Sequence, residues 1–241
     1  MLVAAAVCPC PPLLVPEVAA GAAPELDAAR AACSDALGVL AAARPDLLVV
    51  VGPDPRAGAE GPVRYPAGTP GSFRGFGVDL DVRLGAPGPS VPEGPPLPAP
   101  LAVGAWLLDR VRWAAAPVEG LGAGEALAAG RCAPAGRELA DRAGRVALLV
   151  LGDGSACRTV KAPGYLDERA APFDEEVGRA LGAADTAALA ALDERLAREL
   201  KAMGRAPWQI LAAAARGAGL TGRLLYQDAP YGVGYAVAAW S

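Results

Sequence analysis

The residues that could do chemistry stand where apolar runs of the chain end. Met1–Val7 leads into Cys8-Pro9-Cys10-Pro11-Pro12, Leu47–Val51 into Gly52-Pro53-Asp54-Pro55, and Arg145–Leu151 into Gly152-Asp153-Gly154-Ser155-Ala156-Cys157-Arg158. None of the 241 residues is a histidine. Imidazole, the side chain best suited to proton transfer near neutral pH and the commonest metal ligand, is therefore unavailable. Any chemistry runs on thiols, carboxylates, tyrosines or arginines.

Thiol chemistry at Cys10 or Cys157 needs a cation or a helix N-terminus to stabilise the thiolate, and Arg158 adjoins Cys157. No base is in view, because a Cys–His pair cannot form. Cys33 and Cys132 read as small buried hydrophobes. The Gly152–Ser155 string could turn backbone N–H groups inward as an anion nest, with Ser155 and Arg158 as substrate contacts and Lys161 adding charge. Those glycines serve tight turns equally well. The string is neither a P-loop nor a dinucleotide fingerprint, so no nucleotide cofactor is expected. Gly71-Ser72-Phe73-Arg74-Gly75-Phe76-Gly77 reads as a glycine-rich turn that could fold over a pocket with Arg74 inward. Tyr231 or Tyr235 could donate to a ligand oxygen, or either could pack at a strand end with its hydroxyl at the surface.

Elements must carry these residues to one place. Runs apolar on both faces fit parallel strands covered by helices. Strands are predicted at Met1–Val7, Leu47–Val51, Val78–Arg83, Arg145–Leu151 and Gly222–Tyr226, with a last arm over Tyr231–Ala239. Helices are predicted at about Glu25–Ala42, Leu101–Arg112, Pro134–Ala143, Phe173–Leu181, Thr186–Met203 (Asp185 as its cap) and Trp208–Ala215. Asp174-Glu175-Glu176 reads as a solvated helix-start charge run. The expectation is one α/β domain over 1–241, with a mixed, mainly parallel central sheet flanked by helices and a Gly/Pro-rich loop insertion at about 84–100. Polar loops at the C-terminal ends of parallel strands are where ligands bind in such sheets.

Composition narrows the function classes. A net charge of −4 without a basic stripe argues against nucleic acid. No segment reaches membrane-spanning length, and the N-terminus lacks the basic start of a signal peptide. Five cysteines at irregular spacing are no disulfide framework, so a cytoplasmic location is expected. A small-molecule ligand is the expected partner, and a homo-oligomer through an uncovered sheet edge is compatible with the pattern.

Five segments taken together resemble a known family: the strand into Cys8-Pro9-Cys10-Pro11-Pro12-Leu13-Leu14, the strand into Gly52-Pro53-Asp54, Gly152-Asp153-Gly154-Ser155, Lys161-Ala162-Pro163-Gly164-Tyr165, and Asp228-Ala229-Pro230-Tyr231-Gly232-Val233-Gly234-Tyr235. Over nearly its whole length the chain resembles the class III extradiol ring-cleavage dioxygenase-like proteins, distantly Memo-like, in an actinobacterial branch. Catalytic members hold a ferrous iron with two histidines and a glutamate. The resemblance places Cys10 and Asp54 where the histidines stand, Asp228 as the late acid, and Asp153 or Cys157 near a further acid/base histidine.

Two readings follow. In one, Cys10, Asp54 and Asp228 hold a divalent metal while Asp153 or Tyr231 handles a proton or positions a substrate, as in a divergent metal-dependent oxidoreductase. A thiolate in the set favours zinc over iron. In the other, the scaffold is a non-catalytic small-molecule-binding or protein-interaction module. There Cys8 packs in the core and Cys10 lines a pocket.

Overall fold

The apolar runs form the middle of a seven-stranded sheet in the computed structural model, which describes residues 1–86 and 93–241. In chain order the elements are β1 (Leu2–Cys8), α1 (Pro16–Ala19), α2 (Asp27–Ala42), β2 (Leu47–Pro53), β3 (Val63–Tyr65), β4 (Pro70–Ser72), β5 (Asp81–Arg83), α3 (Ala99–Arg110), β6 (Val118–Ala123), α4 (Ala129–Ala140), β7 (Val146–Leu151), α5 (Ala170–Gly182), α6 (Thr186–Ala190), α7 (Glu194–Glu199), α8 (Arg205–Ala214), β8 (Gly222–Asp228) and β9 (Tyr235–Trp240). The strand order is β3-β6-β2-β7-β1-β9-β8. The central four, β6, β2, β7 and β1, run parallel, while β3 and β9 pair antiparallel to their neighbours. The chain is thus a single α/β domain with a mixed, mostly parallel sheet flanked by helices.

Side chains alternate between two cores with the period of a strand. On β7, Val146, Leu148 and Val150 join the core under α4, α5 and α8, while Ala147, Leu149 and Leu151 join the core under α2 and α3. Both sets are buried, and each Leu or Val removed from water there contributes roughly 2 kcal/mol. On the first face α4 and α8 approach closely at Gly136, where a Cβ would collide with the Ile210 carbonyl oxygen. Arg205, 3% exposed, donates to the carbonyls of Leu127 and Glu125 and so ties α8 to the loop after β6.

Three sequence expectations are corrected. The strand predicted at Val78–Arg83 is only Asp81–Arg83, paired with β4 in a separate two-stranded ribbon. The helix predicted over Thr186–Met203 is two short helices, because Asp193 accepts from the Leu196 N–H and starts a new one, just as Asp185 caps α6 through Ala188. Strand β6 was not anticipated, since Gly120 and Gly122 dilute its apolar pattern; they face Leu84, Tyr65 and Asp54 too closely to carry a side chain. The Gly/Pro-rich insertion expected at about 84–100 falls partly on residues 87–92, which lie outside the described residues. No helix among the described residues is long and apolar enough to cross a membrane.

Candidate functional site

Extending the strand registers past their ends brings the singled-out residues into one row along the C-terminal edge of the parallel strands. Asp54 falls opposite Asp153, Asp153 opposite Cys10, Cys10 opposite Tyr235, and Tyr235 opposite Asp228. Prolines 9, 11 and 12 end β1 at this edge because they cannot continue a ladder, and Pro53 does the same for β2. Gly152 lets the end of β7 pass directly against Gly204, whose Cα leaves no room for a Cβ.

At the centre of the row the Cys10 N–H donates to Asp153 Oδ1 at 2.8 Å. Among the described residues no protein group donates to the other carboxylate oxygen, and the Tyr235 hydroxyl has no protein partner. Cys10 and Tyr235 are each 3% exposed and Asp153 is half-buried. Burial raises the Asp153 carboxyl to about 7, with the Cys10 N–H opposing. Burial, then the Asp153 charge, raises both the Cys10 thiol and the Tyr235 phenol well above their ordinary ranges. The Cys10 thiol therefore stays protonated at neutral pH. Cys8 is held up by its contact with Cys33 and by burial, and is a core group, as in the non-catalytic reading.

The expected anion nest exists, but its anion belongs to the protein. Asp174 of α5 accepts from the Ser155 N–H and hydroxyl, each at 2.7 Å, and from Arg158 at 3.1 Å. Its carboxylate fills the space where Gly154 and Gly234 would carry a Cβ. Ser155 and Arg158 therefore bind an internal carboxylate where the sequence reading has substrate contacts. The same pairing removes Arg158 as a cation for Cys157, whose buried thiol is pushed up and approaches the Leu200 carbonyl at 3.5 Å. Desolvation raises the Asp174 carboxyl, with its donors opposing. Outside it lies a depression of about 400 Å³ lined by Arg158, Thr159, Glu175, Gln227, Asp228 and Ala229.

Asp54 is likewise consumed. Its Oδ2 accepts from the Tyr65 hydroxyl at 2.5 Å, and its Oδ1 from the Arg56 N–H at 2.9 Å. Burial and the Asp54 partner push the Tyr65 phenol up to about 12. Asp228 is exposed and accepts from the Ala229 N–H at 2.7 Å. Four strand spacings separate Asp54 from Asp228, or about 19 Å at ~4.8 Å per step. Among the described residues no three histidine, cysteine, aspartate or glutamate side chains are grouped to hold one ion. Cys10, Asp54 and Asp228 share an edge but not a coordination sphere, so they do not fit the iron of the resembling enzymes or a zinc ion.

Arg74 stands elsewhere. It is exposed and paired with Asp79 and Asp81 at 2.8 and 2.7 Å beside the β4–β5 ribbon, so it closes over no part of the row. The Tyr231 hydroxyl, in the turn between β8 and β9, is buried and meets no partner at hydrogen-bond geometry among the described residues; burial and the nearby Glu25 raise it. Asp174, read from the sequence as solvated, is the residue that reasoning missed. Its signal was present: with Ala170, Phe173, Val177 and Leu181 it occupies the buried stripe of α5. Tyr65 and Arg56 carried no such signal, because β3 is a three-residue edge strand.

No protein-family model matches the chain, and no curated protein matches it. The crystal structure of uncharacterized protein JW3007 from Escherichia coli K12 is similar over 99% of each chain, with a TM-score of 0.58 and 14% sequence identity. At that identity the likeness shows a shared fold, extending across the whole chain.

Proposed function

We propose that the protein binds a small hydroxylated molecule between Asp153 and Tyr235, on a scaffold resembling the class III extradiol dioxygenase-like proteins but without their iron. One observation carries this reading. Asp54 and Asp174 are bonded by protein donors at both carboxylate oxygens, whereas among the described residues Asp153 has one oxygen without a donor, and the Tyr235 hydroxyl, also without a partner, feels its charge. A ligand hydroxyl set there would donate to Asp153 and accept from Tyr235. With Asp153 near 7, the carboxyl can take that proton and return it at neutral pH, work commonly done by histidine. The metal-dependent reading is disfavoured by the strand spacing between its three ligands. A purely non-catalytic module remains the companion reading, since the same two groups serve binding alone.

Calorimetric titration with catechol as the probe tests this, on protein purified without a histidine tag. Saturable binding that weakens at least tenfold in Asp153→Asn and in Tyr235→Phe, with no oxygen uptake when ferrous iron is added, is the expected result. No saturable binding, or binding indifferent to both substitutions, would overturn the reading. Iron-dependent oxygen uptake with ring opening would restore the metal-dependent one.

A further inference from the structure

Four of the six exposed large hydrophobic side chains among the described residues lie on two adjoining segments: Val160 (56%), Tyr165 (65%) and Leu166 (47%) on the loop after β7, and Met203 (37%) on the α7–α8 connection. The segments are tied together by Ala156 N–H to the Leu200 carbonyl at 2.8 Å, by Gly164 N–H to the Ala156 carbonyl at 2.8 Å, and by Lys201 reaching the Pro163 carbonyl at 3.5 Å. Chance exposure of single apolar residues needs no explanation, but four gathered on two hydrogen-bonded segments do.

The backbone here is also held against its preference. Tyr165 has φ +63° and Lys201 has φ +56°, a left-handed conformation that side chains rarely adopt. Such strain persists only where the surroundings impose it, and it gathers at functional positions. The surroundings are visible: Gly164 packs against Cys157 with no room for a Cβ, and Asp167 N–H bonds the Cys157 carbonyl at 3.0 Å. The strained turn holds the Tyr165 ring outward on a rigid base.

Charge identifies the occupant. The chain has two lysines and a net charge of −4, and both lysines, Lys161 and Lys201, are exposed on this patch. The neighbouring acids Asp167 and Glu199 are already balanced by Arg169 and Arg195, leaving Glu168 at the margin as an exposed acid without an ion pair among the described residues. A second copy docked patch to patch about a two-fold axis would set lysines against lysines. We infer that the Val160–Leu166 loop and the Lys201–Met203 connection form a docking surface for another protein, in which an acidic segment carrying apolar side chains lies over Tyr165 and Leu166 between the two lysines. The proposed contacts use neither the Asp153 nor the Tyr235 side chain.

The probe is a fluorescently labelled twelve-residue peptide alternating glutamate with leucine and phenylalanine, followed by anisotropy. The expected result is saturable binding that falls at least tenfold in the double variant Lys161→Glu/Lys201→Glu and in Tyr165→Asn, and is unchanged in Arg223→Glu on β8. Asparagine tolerates the left-handed conformation, so Tyr165→Asn should melt at or above the parent temperature and separate lost docking from lost folding. Absence of saturable binding, or equal loss in Arg223→Glu, overturns the proposal. So does binding to phosphatidylglycerol vesicles in place of the peptide, or self-association in ultracentrifugation that the double variant abolishes.

Discussion

The Cys10 N–H and the Asp153 carboxylate meet at 2.8 Å although 143 positions separate them in the chain. The bond closes the gap between the ends of β1 and β7, and it fixes a carboxyl that folding raises from 3.8 to about 7. Such a group binds its proton more tightly in the folded state than in the unfolded one. Its contribution to stability is therefore full below about pH 4, falls as pH rises to about 7, and is absent above that. The full linkage value is ~4 kcal/mol, and solvent contact at the half-buried carboxyl reduces it to about 2 kcal/mol. Denaturant unfolding from pH 4.5 to 8 should show this slope in the parent and lose it in Asp153→Asn. Equal slopes in both proteins would mean that the carboxyl titrates normally.

Asp174 is the keystone of the self-filled nest. Asp174→Ala would leave the Ser155 N–H and hydroxyl without acceptors and Arg158 without its counter-charge, in a space that Gly154 and Gly234 shape around the carboxylate. Stranding buried donors costs ~1–3 kcal/mol each, so a loss of about 3 kcal/mol is expected by urea denaturation. Ser155→Ala, which removes only the hydroxyl, should cost about 1 kcal/mol. If Asp174→Ala were as stable as the parent, the nest would have to accept an anion from solution.

The sheet was legible because its strands are apolar on both faces, and Leu47–Val51 and Arg145–Leu151 admit no other buried reading. So was the edge, since Cys10, Asp54 and Asp153 each follow a strand that prolines or glycines stop. What the sequence hides is which polar group answers which. Ser155 and Arg158 look open to a ligand until α5 folds Asp174 onto them, and Asp54 looks like a metal ligand until Tyr65 arrives from an edge strand. The partners lie 19 and 11 positions further along the chain on other elements, and nothing local to the loops announces them. Arg74 shows the opposite case: Asp79 and Asp81 lie close by in sequence and claim its guanidinium.

The Asp54–Tyr65 bond makes a claim about metals testable. If Asp54 serves Tyr65 and Arg56, then Asp54→Asn and Tyr65→Phe should each lower stability by about 1–3 kcal/mol, since a buried group loses its partner in either case. Chelator should leave the melting temperature of the parent unchanged, and added zinc should not raise it. A rise with zinc that Asp54→Asn and Cys10→Ser both abolish would show the two residues reaching one ion, against the spacing of their strands.

Tyr231 separates a ligand contact from a structural flaw. Its ring packs against the core under α2 and α3, while its hydroxyl is buried with no partner at hydrogen-bond geometry among the described residues. Tyr231→Phe keeps the ring and deletes an unsatisfied polar atom, so it should stabilise the protein by about 1 kcal/mol. Catechol affinity should stay within about twofold of the parent, because Asp153 and Tyr235 make the contacts. A tenfold loss of catechol binding without loss of stability would move the ligand toward the turn between β8 and β9. The hydroxyl would then be explained as a group kept unpaired for the ligand, as the sequence reading of Tyr231 as a proton-handling residue requires.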